Sequence, residues 1–126
     1  VLLPGDIGKR AERRLLASAP DLAADVLIAP HHGSNSSSTA EFVAAVHPRY
    51  ALFPVGYRNR YRHPHPNVVA RYASLGARRY DSVTSGAIEL RVHADGVSLE
   101  RYRERARRYW FDQANASLDS SQEVRD

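Results

Sequence analysis

The sequence predicts an α/β fold in which helices pack against a mixed sheet. Two observations carry this expectation: short aliphatic runs alternate with amphipathic segments of helical period, and a later Asp-Gly turn joins two runs of alternating character. At 126 residues the chain has room for one domain of ordinary size, about 100 to 150 residues. That domain is expected over 1–111, with an unpacked polar tail over 112–126.

Val1 to Leu3 is apolar and is stopped by Pro4-Gly5, as at the end of a buried strand, with Asp6 just beyond it. From Lys9 to Ser18, Ala11, Leu15 and Leu16 recur at helical spacing, while Arg10, Glu12, Arg13 and Arg14 are assigned to the opposite, solvent side. Asp25 to Ala29 is a strand closed by Pro30, and His31-His32 follows at once. After the polar loop Gly33 to Ser38, the Ser38-Thr39-Ala40-Glu41 pattern predicts a capping box, in which hydroxyl and carboxylate satisfy exposed backbone donors. The helix it opens runs to about Val46 and is stopped by His47-Pro48.

Tyr50 to Val55 is the next strand, and it enters a loop at Gly56 that carries arginines, tyrosines, Asn59, His63 and His65. Pro66 suits a first helical turn, where its missing donor is not needed, and Gly76 suits the stop after Leu75. Arg78 to Asp81 is a short strand. Ala87 to His93 and Val97 to Arg103 form a hairpin about Ala94-Asp95-Gly96, with helix as the alternative for Glu100 to Trp110.

Composition excludes several function classes. The 43% apolar and 25% charged shares are those of a globular protein rather than a disordered one. No stretch approaches the roughly 18 apolar residues needed to cross a bilayer, and no signal-peptide pattern is present. Without cysteine, a disulfide framework or thiolate metal site is excluded, so any metal falls to His, Asp or Glu. The net charge of +4 and pI near 9.8 come from cations that are arginine at every position but Lys9, a bias that fits phosphate partners and equally a plain compositional preference. With Val1 first and no methionine, the sequence reads as a fragment, a processed product or an open reading frame with an unusual start.

Three loops at inferred strand ends hold the candidate chemistry: Asp6, His31 with His32, and Asn59 to His65. A carboxylate and imidazoles gathered at one sheet edge suit Zn or Mn, and a carboxylate can bridge two such ions about 4 Å apart. Taken singly, each piece also fits a turn residue, a hydrogen-bonded histidine or a helix cap. His47 and His93 read as structural or surface residues, and Ser34 to Ser38 lacks a nucleophile elbow.

Leu3-Pro4-Gly5-Asp6, then Asp25 through Pro30-His31-His32-Gly33-Ser34, then Val55-Gly56, Asn59, Tyr61 and His63-Pro64 occur in an order that resembles the metallo-β-lactamase-like domain of ComEC competence proteins. The resemblance covers about Val1 to Leu99. It implies half of an αββα sandwich, with Asp6 and His31 or His32 as metal ligands of a site for two divalent ions, Zn or Mn. It also implies catalytic roles for Asp6, Asn59 and His63, and substrate contacts for Ser34, Asn59, Tyr61 and His63. The family's pattern departs at Pro4, where Thr or Ser is usual, and at Arg62, where Gly is usual.

The family's upstream His-x-Asp-x-Asp-His or His-x-His-x-Asp-His signature and its next ligand His have no counterpart here, so the resemblance implies an incomplete metal site and a chain inactive alone. Further expectations are DNA as partner, the remainder of a membrane-embedded competence protein, association through an exposed sheet face, and an extracytoplasmic location. Two other classes compete. One is a basic nucleic-acid-binding module built on Arg101, Arg103, Arg105, Arg107 and Arg108 with Tyr102, Tyr109 and Trp110, set against a solvated face with Glu100 and Glu104 pairing. The other is a different phosphoesterase or lactonase of the same fold.

Overall fold

The computed structural model describes residues 1–106. The chain divides into two compact units, Val1–Asp81 and Ser82–Asp126. Arg107, Arg108, Tyr109, Trp110 and the tail expected at 112–126 lie outside the described residues.

The first unit runs α1 (Lys9–Ser18), β1 (Val26–Ile28), a tight turn at Pro30–Gly33, α2 (Ala40–Val46), β2 (Tyr50–Phe53), α3 (Pro66–Ser74) and β3 (Arg78–Asp81). Its sheet is wholly parallel, in the order β1-β2-β3, with Val26 opposite Tyr50 and Tyr50 opposite Arg78. Leu2 adds one parallel bridge to Leu27 on the outer side of β1, so the strand expected at Val1 to Leu3 is reduced to a single paired residue. Central parallel strands are covered on both faces, and all four residues of β2 are buried. An exposed apolar face is therefore absent from β2.

The core joins Leu27, Ala51 and Phe53 from the strands to Phe42, Val43 and Val46 of α2 and Val68 and Tyr72 of α3. Phe53 meets the Tyr72 ring edge-on, with centroids 5.4 Å apart. All the parallel strands end toward the same edge, and the Asp6, His31 and Gly56–His65 loops leave from there.

The second unit contains α4 (Ser82–Ser85), the hairpin β4 (Ile88–His93) and β5 (Gly96–Arg101), and the one-turn α5 (Tyr102–Arg105). Parallel and antiparallel pairing are thus both present, but in two separate sheets rather than the single mixed sheet expected. The hairpin turns at the Asp95-Gly96 position read from the sequence. Among the described residues, no helix is long and apolar enough to cross a membrane.

Two local expectations are corrected. Thr39, not Ser38, is the N-cap of α2, its hydroxyl accepting from Phe42 N. Ser38 sits at a left-handed φ of 54° and bonds the Tyr72 hydroxyl instead. Glu12 is fully buried rather than solvated, because its two oxygens accept from Ser38 N and Thr39 N.

Candidate metal centre

The turn after β1 is built against the usual backbone preference. His31 and His32 both lie in the left-handed region (φ 48° and 55°), followed by Gly33 at φ 80°. That conformation costs about 1–2 kcal/mol for each non-glycine residue, so other bonds must hold it. His31 N donates to Gly5 O (3.0 Å), tying the turn to the Asp6 loop, and His65 N donates to Gly33 O (2.9 Å), tying it to the third loop. Gly33 is required by space as well as by φ, since a Cβ there would lie 2.7 Å from the Pro64 Cβ and 2.9 Å from a Phe53 ring carbon.

The polar loop that follows is fastened from both sides. Glu12 takes its two amides, while Arg71 donates to the Ser37 and Ser38 carbonyls at 3.3 and 2.8 Å. The Ser37 hydroxyl donates to Pro30 O. Burial pushes the Tyr72 phenol up to about 12, so it stays a neutral partner for Ser38. Nothing in the α1 pattern separates Glu12 from its solvated neighbours, because its partners lie 26 and 27 residues away.

These braces set the candidate residues. His32 Nε2 lies 3.5 Å from Asp6 Oδ1, with the two side chains 49% and 67% exposed and so open to an incoming ion. The other ring nitrogen, Nδ1, lies 2.8 Å from Pro54 O. A carbonyl only accepts, so Nδ1 carries a hydrogen, and in the neutral form of the ring the lone pair falls on Nε2, the atom nearest Asp6. His31 instead shares a 3.3 Å hydrogen bond from Nδ1 to Ser36 Oγ, which is bonded in turn to Ser34 Oγ. The rings of His31 and His32 are 6.5 Å apart, and those of His31 and His63 are 6.1 Å apart.

Asn59 is fully engaged by its own loop. Its Oδ1 accepts from His63 N (2.8 Å), and its Nδ2 donates to His63 O (2.8 Å) and Gly56 O (3.2 Å). It therefore fixes the backbone of His63 and leaves the ring free to face His31. Tyr61 stacks against His63 at 5.7 Å. Burial, then the neighbouring His31, His32 and His65, holds the His63 imidazole below its ordinary value, so it favours the neutral form. His65 caps α3, its Nδ1 accepting from Asn67 N.

The structure thus gathers Asp6, His31, His32, Ser34, Asn59, Tyr61 and His63 at one edge of the first unit. Among the described residues, no three His, Asp or Glu side chains form a group able to hold a metal ion. Asp6 and His32 supply two suitable donors, fewer than the three or four of an ordinary zinc site.

No protein-family model matches the chain. It is 36% identical over 104 residues to competence protein ComA of Neisseria gonorrhoeae and 34% identical over 90 residues to ComE operon protein 3 of Bacillus subtilis. It is also 26% identical over 103 residues to recombination protein 2 of Haemophilus influenzae. These matches take in 82%, 71% and 82% of this chain but 15%, 12% and 13% of the relatives, so the chain spans about a seventh of their length. The chain is related in sequence to competence proteins, of which it corresponds to a short segment.

Proposed function

We propose that the chain is a segment of a DNA-uptake protein and contributes two ligands, Asp6 and His32, to a divalent-metal site that hydrolyses phosphodiesters. The observation that carries this reading is the His32 ring, whose Nδ1–H is spent on Pro54 O while Nε2 is presented beside Asp6. The relationship to competence proteins supports DNA as the substrate. Their much greater length leaves ample chain from which further ligands would come.

A bound Zn or Mn would supply an acidified water and a charge clamp for the phosphoryl oxygens. The residues present divide the remaining work. Asp6 and His32 offer oxygen and nitrogen donors, and the Glu12 and Arg71 braces keep the donor loop in place. His63, kept neutral and aimed at His31, fits a proton acceptor at a ring nitrogen better than a donor near neutral pH. Asn59 acts on His63 through its backbone bonds.

The test is a nuclease assay on the complete protein carrying this segment, with Zn or Mn added or chelated. Asp6→Asn and His32→Gln should each lower cleavage by about a hundredfold. Metal-independent cleavage, or cleavage indifferent to both substitutions, would sink the proposal. The competing reading, a basic module near the chain's end, is weakened at two of its arginines by charge pairing, Arg101 with Glu104 and Arg105 with Glu100, while Arg107 and Arg108 lie outside the described residues.

A further inference from the structure

The outward face of α1 carries charge that its own surroundings leave unanswered. Leu15 and Leu16 pack against the core and Glu12 is buried, while Lys9, Arg10, Arg13 and Arg14 are all exposed. At about 100° per residue, the four cations fall within a single arc of about 140° on the side away from the core. Among the described residues, no ion pair involves any of them. Glu12 is the one acidic residue between Asp6 and Asp21, and its two oxygens are already held by the Ser38 and Thr39 amides.

This placement works against the helix itself. Lys9 with Arg13, and Arg10 with Arg14, are like charges one turn apart and repel each other. Lys9 and Arg10 also open the helix, at the positive end of its dipole, where Gly8 supplies no side-chain cap. An anionic partner on this face would relieve both repulsions at once.

The spacing says which anion. Lys9, Arg13 and Ala17 form one row along the helix and Arg10, Arg14 and Ser18 another, each repeating about every 6 Å. Cations fill the first two turns of both rows, and small exposed residues fill the third. Carboxylates four residues apart on a second helix repeat at the same 6 Å, and a guanidinium takes a carboxylate through two parallel N–H bonds. Small side chains at Ala17 and Ser18 let the two helix axes come close. Phosphate partners fit less well: α1 has no aromatic ring on which a base could stack and no exposed large apolar side chain to enter a bilayer.

We infer that the outward face of α1 docks an acidic helix of a separate polypeptide, with Lys9, Arg10, Arg13 and Arg14 on its carboxylates and Ala17 at the point of close approach. None of these residues belongs to the candidate metal centre, so the inference stands apart from the hydrolase reading.

The experiment is fluorescence anisotropy of the complete protein with a labelled helical peptide bearing glutamates four residues apart, beside the same peptide with lysines in their place. The combined change Arg10→Glu and Arg14→Glu should weaken glutamate-peptide binding by about tenfold or more and raise lysine-peptide binding by a similar factor, a swap that misfolding would not produce. Ala17→Gln keeps a good helix former and the charge, yet should weaken the glutamate peptide about fivefold by holding the helices apart. No binding of the glutamate peptide by the parent, or binding unchanged by either variant, would overturn the inference. Charge reversal that leaves the peptide unaffected but lowers binding to a DNA duplex or to phosphatidylglycerol vesicles would assign the face to phosphates and overturn it as well.

Discussion

The unit Val1–Asp81 and the described part of the unit that follows it use the same residue types to different ends. In the first, a parallel strand with all four residues buried anchors a core of Phe42, Val43, Val46, Val68 and Tyr72. In the hairpin of the second, Ile88, Leu90, Val97 and Leu99 alternate with exposed residues, and none reaches full burial. Charges follow the same division. Glu12 is buried with both oxygens on backbone amides, whereas Glu89, Glu100 and Glu104 meet arginines in water. The lesson is that the left-handed backbone of His31-His32 sits beside a packed core and buried polar bonds that can hold it.

Substitutions sharpen this contrast, beginning with the largest effect. Phe42→Ala should cost about 3–5 kcal/mol in chemical denaturation, against about 1 kcal/mol for Leu90→Ala at a half-exposed site. Equal costs would break the comparison. Glu12→Ala strands two backbone donors and should cost about 2–3 kcal/mol, while Glu100→Ala should stay within about 0.5 kcal/mol. Gly33→Ala meets both the positive φ and the Pro64 and Phe53 contacts, and about 2 kcal/mol is expected together with a displaced His32 ring signal by NMR.

The smallest effect is a pH dependence from His63. Its folded value lies below the ordinary 6.5, so below that pH the unfolded chain takes up more protons than the folded one. Its contribution is therefore fully present above about pH 6.5 and is lost as pH falls toward the folded value. Urea denaturation across this range should show a shallower acid loss in His63→Gln than in the parent, and an identical loss would remove His63 as the source.

Much of the fold was legible because periodicity is local. The α1 limits, the Asp25 to Ala29 run and the Asp95-Gly96 turn each declare themselves within a few residues, and the structure places elements at all three. Features set by distant partners were not legible. Glu12 carries the same local signal as its solvated neighbours, and only the amides of Ser38 and Thr39 distinguish it. The His-His pair could be picked out, yet the difference between the rings depends on Pro54 O and Ser36 Oγ. The resemblance implies a catalytic and substrate-binding Asn59, and the bonds its amide makes within its own loop could not be read from the sequence. Hairpin pairing was readable from the turn, but its separation from the parallel sheet was not.

The central claim is that Asp6 and His32 grip one cation through the carboxylate and the free Nε2. Imidazole nitrogen NMR of the complete protein carrying this segment, during Zn titration, tests it directly. His32 Nε2 should shift on Zn addition while Nδ1 stays protonated, and Asp6→Asn should weaken the response. A His32 signal indifferent to Zn, or a response that survives Asp6→Asn unchanged, would contradict it.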